Sequence, residues 1–121
     1  MDKVFIFDTT MRDGELTPGV KMTLQQKISL SQLLEEMEVD IIEVAYPASS
    51  PKDFAEVFNI AKIIKNSTIC GLASSQEIEI ITLAEALKPA SRSRINTYTP
   101  VNLQHQSHRQ VASLQFKIQN Y

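Results

Sequence analysis

Val4-Phe5-Ile6-Phe7-Asp8-Thr9-Thr10-Met11-Arg12-Asp13-Gly14-Glu15 begins as an apolar run and then turns abruptly to charged residues and a glycine. That is how a parallel strand looks when it delivers polar groups to the open end of a sheet, where α/β proteins place their chemistry. From Lys3 to Thr9 the apolar residues run on rather than alternate, which predicts a strand buried on both faces. An arginine beside a carboxylate can serve an anionic substrate and a metal ion at one spot. The loop that follows contains Gly14, Pro18 and Gly19 and exceeds the about 2–6 residues usual for a βα connection. Long loops in such positions are often functional.

Thr23-Leu24-Gln25-Gln26 is a capping box and opens a helix that ends near Glu38. Leu24, Ile28, Leu30, Leu33, Leu34 and Met37 form its apolar stripe, with Lys27, Gln32, Glu35 and Glu36 on the other side. Asp40 to Tyr46 reads as a second buried strand, stopped by Pro47, in which Glu43 is anomalous. A lone carboxylate in a buried strand is costly unless paired or near the polar end of the sheet. Ser50 as N-cap and Pro51 at the first helical position begin the next helix, whose inner face is Phe54, Val57, Phe58, Ala61 and Ile64. Thr68–Ala73 is the third strand. A third helix starts around Ser74, Ser75 and Glu77, with Ile78, Ile81, Leu83, Ala84 and Leu87 apolar, and Arg94–Thr99 is the fourth strand.

This β-α-β-α-β-α-β order, with right-handed crossovers, predicts an α/β fold with a parallel sheet. At roughly 30 residues per βα unit, the chain is about half of a (β/α)8 barrel of ~250 residues. A complete small doubly wound domain is the other architecture of this length. Residues 1–103 read as the partial barrel, its fourth βα repeat incomplete, and 104–121 as a divergent polar tail in which Val111, Leu114, Phe116 and Ile118 form a weak pattern.

The 121 residues carry 12 basic and 14 acidic side chains, a net charge of −2, with no block of like charge to favour nucleic acid or an anionic membrane. No apolar run approaches the ~20 residues of a membrane helix. The single cysteine, Cys70, excludes an internal disulfide, and its apolar neighbours read as the surroundings of a core thiol. Together with the lack of a cleavable signal pattern, this predicts a soluble cytoplasmic protein.

The opening string, followed by Thr17-Pro18-Gly19 and Ile42-Glu43-Val44-Ala45-Tyr46-Pro47, resembles the N-terminal signature of the 2-isopropylmalate synthase family. Homocitrate synthases, citramalate synthases and hydroxymethylglutaryl-CoA lyases are its relatives. Cys70-Gly71-Leu72-Ala73 and Ala86-Leu87-Lys88-Pro89-Ala90 are similar to later parts of the same pattern. The likeness runs from about Val4 to Leu103. It implies the first half of a TIM barrel from a metal-dependent acyltransferase of leucine biosynthesis, joining acetyl-CoA to a 2-keto acid by Claisen condensation and then hydrolysing the thioester. Carried over by position, Arg12 would hold the keto-acid oxygen and stabilise developing charge, and Asp13 would be one ligand to a divalent metal, Mg2+ or Mn2+. Glu43 falls on an acidic site position, giving Arg12 and Glu43 as the catalytic pair. Arg12, Glu43, Asn96 and Thr97 are the substrate-binding set.

The chain departs from the pattern at Leu16, where an amide is usual, at Ser74, where an arginine is common, and at Asn96, where a histidine is usual. The His-x-His metal ligands of the family lie on a later strand, and His105 and His108 read as surface histidines instead. Three readings stay open: an enzyme's N-terminal part, a catalytically inactive remnant or interaction module of the same fold, and a self-contained α/β binding domain. Half a barrel has unpaired edges, so the isolated chain is expected to be marginally stable or homo-oligomeric.

Overall fold

The computed structural model describes residues 2–99 and forms them into a four-stranded parallel sheet alternating with helices. The elements are β1 (Phe7–Asp8), α1 (Leu24–Glu36), β2 (Ile41–Glu43), α2 (Pro51–Ile63), β3 (Thr68–Ser74), α3 (Glu77–Ala86) and β4 (Ser93–Tyr98), with 3-10 turns at Gly14–Leu16 and Pro47–Ser49. The strand order is β1-β2-β3-β4, and every neighbouring pair is parallel. A doubly wound domain reverses direction at a switch point, and none occurs among these strands. Right-handed crossovers stepping one way around the sheet place all the helices on one face, and α2 packs against both α1 and α3. This is the arrangement of the first half of a (β/α)8 barrel. The proposed boundary at 103/104 and the tail lie outside the described residues.

The starts of α1 and α2 follow local chemistry as the sequence predicts, whereas α3 begins after Gln76 with no side-chain cap and Ser74 ends β3. The Thr23 hydroxyl accepts from Gln26 N–H at 3.1 Å while the Gln26 side chain accepts from Thr23 N–H at 2.9 Å. Ser50 caps α2 through Asp53 N–H, with Pro51 in the first turn. The end of α1 is less favourable. Val39 N–H reaches Leu34 O and Glu38 N–H reaches Glu35 O, a Schellman pattern that holds Glu38 at φ +63°. A side chain in this left-handed conformation costs about 1 kcal/mol. Glu38→Gly is therefore expected to stabilise the chain by about 1 kcal/mol, read as a higher midpoint in urea. A lower midpoint would mean that the glutamate makes a compensating contact.

The core lies between the sheet and the helices. Ile42 of β2, Val44 just after it, and Ile69 and Ala73 of β3 pack with Leu34, Val57, Ile60, Ala61, Ile64, Ile80, Leu83 and Ala86. A Cβ on Gly71 would collide with Leu83 Cδ1, so α3 sits directly on that glycine. Gly71, Ile69 and Ala73 thus face the helices, and alternation sends Cys70 and Leu72 to the opposite face, the inner wall of the half-barrel.

Three expectations change. The first strand does not run from Lys3 to Thr9 with both faces covered: only Phe7–Asp8 pairs with β2, and Val4, Phe5 and Ile6 are 78%, 61% and 53% exposed. β1 is an edge strand, and no described element covers its outer side or inner face. On α1 the buried face is Lys27, Ser31 and Leu34, while Leu33 and Met37 are exposed, so Lys27 lies inside rather than on the solvent side. On α3 the buried positions are Ile80, Leu83 and Ala86, with Ile78 exposed. The helix is apolar nearly all round, so periodicity did not identify its inner face.

Candidate active-site corner at the strand ends

Asp8 ends β1 by turning the chain: its carboxylate accepts from Thr10 N–H at 3.0 Å and from the Thr10 hydroxyl at 2.9 Å. Thr9 O then accepts from Asp13 N–H and Gly14 N–H, which carries Arg12 back over the strand ends. Met11, wholly buried, fixes the start of this turn in the core.

Arg12 Nε donates to Glu43 Oε1. Glu43, fully buried at the end of β2, accepts from Asn96 Nδ2 of β4 at 2.8 Å on its other oxygen. The asparagine reaches across β3, where the residue in register with Glu43 is the small Cys70. Three residues from three separate elements therefore converge through one carboxylate. Each Glu43 oxygen carries a partner, and the Arg12 contact uses Nε, so the guanidinium's terminal nitrogens are not spent on Glu43. One of them, NH1, lies 3.8 Å from Asp13 Oδ1, a long contact to a carboxylate that is itself well exposed.

Thr97 is not part of this cluster. It neighbours Asn96 on the strand, so it points to the helix side with Ile95, which packs on the core. Its buried Oγ1 makes no hydrogen bond among the described residues. Asp13 stands at the rim beside Arg12. Among the described residues no group of three or more His, Cys, Asp or Glu is placed to hold a metal ion. Divalent oxygen-binding cations take six or more ligands, and Glu43 is already committed. Asp13 alone does not make a metal site. His105 and His108 lie outside the described residues.

Cys70 is buried, and its Sγ–H lies 3.5 Å from Gly71 O. Burial, with the Glu43 carboxylate adding to it, pushes the thiol up to about 12. It is a core thiol, as the sequence reading has it. Leu16 is largely exposed at the end of the loop turn. Ser74, where an arginine is common, donates its N–H to Glu79 Oε1 at 3.0 Å.

Two polar clusters were not found by sequence reasoning. At the rim, the Tyr46 hydroxyl donates to Glu79 Oε1 and lies 3.4 Å from the Tyr98 hydroxyl. Burial and the Glu79 hydrogen bond raise the Tyr46 phenol, while on Glu79 the opposing effect of burial is outweighed by the Tyr46 and Ser74 bonds, which lower the carboxyl. Tyr98 is two residues beyond Asn96 on the same strand face, so this network forms the wall above Glu43 and Asn96. The second cluster joins Glu15, Lys27, Glu56 and Lys52 under the loop. Only Lys52 and Glu56 share an element, as an i,i+4 pair on α2; the other partners come from separate strands, helices and loops, so no spacing along the chain brings them together.

A family model described as HMGL-like matches residues 3–118. The chain is 46% identical over 116 residues to the 2-isopropylmalate synthase of Rhodopseudomonas palustris (strain BisB5), covering 93% of this chain and 22% of that protein. With the 2-isopropylmalate synthase of Cupriavidus necator it shares 47% over 104 residues, 86% of this chain and 20% of that protein. With that of Caulobacter sp. (strain K31) it shares 48% over 108 residues, 89% and 21%. The chain spans about a fifth of the length of the curated relatives it matches.

Proposed function

The chain belongs to the HMGL-like family, and on that footing we propose that it supplies the keto-acid corner of a 2-isopropylmalate synthase-like acyltransferase. The reaction proposed is the condensation of acetyl-CoA with a 2-keto acid. The observation that carries this reading is Arg12 held over the strand ends by the buried Glu43, with its terminal nitrogens not used in that contact. A fixed guanidinium can bind a keto-acid oxygen and stabilise negative charge as it develops there, at no cost of reorganisation during the step. Glu43 works by position: one oxygen sets Arg12 and the other sets Asn96. Asn96 then has its side-chain oxygen to offer the substrate, where a histidine could have offered a proton. Thr97, on the far side of the strand, belongs to this reading only as the support of Asn96.

A divalent metal, Mg2+ or Mn2+, belongs to the same proposal with Asp13 as one ligand and Lewis-acid polarisation of the keto group as its chemistry. The described residues do not complete its site. Acetyl-CoA and the 2-keto acid are the small-molecule partners proposed. The exposed edges are proposed to join further copies of the chain, and neither nucleic acid nor membrane is a proposed partner. A cytoplasmic location fits this reading, and no described helix is long and apolar enough to cross a membrane.

Calorimetric titration with a series of 2-keto acids tests the corner. Binding in the millimolar range is expected, with at least a tenfold loss in Arg12→Lys, because a point charge does not reproduce the planar fork. Equal binding by the two proteins would overturn the role of Arg12. The 121 residues alone are expected to release no CoA from acetyl-CoA and a 2-keto acid with Mg2+ or Mn2+. Metal-dependent release would show that this corner suffices, which the reading denies.

A further inference from the structure

Lys27 is the largest fully buried side chain of the described residues and has an unusual setting for an ammonium group. Its Nζ lies 2.5 Å from Glu56 Oε2 on α2 and 3.1 Å from Glu15 Oε2 in the loop after β1. The other Glu56 oxygen meets Lys52 Nζ at 3.2 Å, and these are contacts of charge rather than of hydrogen-bond geometry. The other Glu15 oxygen accepts from Met22 N–H at 3.1 Å. One turn further along α1, the buried Ser31 hydroxyl donates to Lys27 O at 2.7 Å and touches Met11 Sδ at 3.6 Å.

The inner face of α1 therefore grips the loop at two points, Met11 just before Arg12 and Glu15 three residues after it. Between them the chain is a bonded turn: Asp13 and Gly14 N–H share Thr9 O, and Leu16 N–H reaches Asp13 O at 3.0 Å. A displacement of Glu15 is carried through that turn to Arg12. Stability alone does not call for such a cluster, since buried ion pairs are often matched or bettered by apolar side chains of similar size. An unpaired ammonium in this interior would be costly. Glu56 supplies one carboxylate, which leaves the contact with Glu15 as the part that reaches the loop.

We propose that Lys27, held by Glu56, is a positioning residue: through Glu15 it sets the angle at which Arg12 meets Glu43 and the mouth of the site. This inference rests on the reading of Arg12 as the keto-acid ligand. Its structural half stands or falls separately.

The test is nitrogen-15 NMR of the full chain, following the Arg12 Nε–H resonance. The double variant Lys27→Met, Glu56→Leu removes both buried charges together and leaves the exposed Lys52 solvated. Core amides of β2 and β3 are expected to keep their parental exchange rates, while Arg12 Nε–H exchanges with water at least tenfold faster. Pyruvate, as a simple 2-keto acid, is expected to bind at least tenfold more weakly to the variant. A folded variant whose Arg12 Nε–H exchanges as in the parent overturns the inference. If the double variant does not fold, Glu15→Gln is read the same way, because it leaves the Lys27–Glu56 pair in place. Failure of the parent chain to bind any 2-keto acid would instead overturn the keto-acid reading, with the exchange experiment still deciding the role of Lys27.

Discussion

Arg12→Met is expected to destabilise the chain by about 3 kcal/mol, lowering the melting temperature by on the order of 10 °C. The cost comes from Glu43 rather than from the arginine. Glu43 is fully buried, and Arg12 is its charged partner. Removing one member of a buried pair costs about 3–5 kcal/mol because the other charge is left uncompensated. The lower end applies because Arg12 is itself about a quarter exposed. Asn96 remains as a hydrogen-bond donor but brings no charge. Adding Glu43→Leu to the first substitution removes the stranded carboxylate, and most of the lost stability is expected to return. Calorimetry on the two variants and the parent checks both steps. If Arg12→Met melts with the parent, water or another cation reaches Glu43, and the corner is not the desolvated site described above. Keto-acid binding should be absent in the single and double variants alike, which separates the stability role of the pair from its binding role.

The parts of this site differ in how readable they are from sequence. Thr23 with Gln26 and Ser50 with Pro51 act within a few residues, so the helix starts follow from local spelling. The alternation of strands and helices, together with the length, gives the half-barrel, while the sequential strand order is what separates it from a doubly wound domain. Glu43 announces itself as a carboxylate out of place in an apolar strand. Its partners do not, because Arg12 and Asn96 are 31 and 53 positions away from it. Their convergence follows only if parallel strands end at one mouth. The pattern of α1 puts Lys27 on its solvent face for a plain reason. Helical periodicity sorts residues by hydrophobicity, and a buried lysine is recognisable only once Glu15 and Glu56 are placed beside it. The first strand shows the opposite error: a continuous apolar run says that the segment needs cover, not that the described residues provide it.

That uncovered strand sets the other large expected effect. In analytical ultracentrifugation at tens of micromolar, the parent chain is expected to sediment as concentration-dependent oligomers, and the pair Val4→Lys, Phe5→Lys is expected to be monomeric. Among the described residues β1 pairs only with β2, and β4 only with β3. An edge strand offers its backbone donors and acceptors to another chain, and lysines at an edge are a usual means of blocking such pairing. At the β1 edge the exposed Val4, Phe5 and Ile6 add apolar surface. Burying side chains of this kind stabilises by about 1.5–3 kcal/mol each, and that gain must exceed the loss of translational and rotational freedom on association. Ile6 is left in place because its N–H bonds Asp40 at 2.8 Å and its carbonyl accepts from Ile41, so the ladder to β2 is undisturbed. Val4 and Phe5 make no such bond to β2, and changing them should alter association without altering the fold. The far-ultraviolet circular dichroism of the variant should therefore match the parent. A parent chain that stays a compact monomer at every concentration, and melts as cooperatively as the variant, would show that the exposed edge carries no association at all.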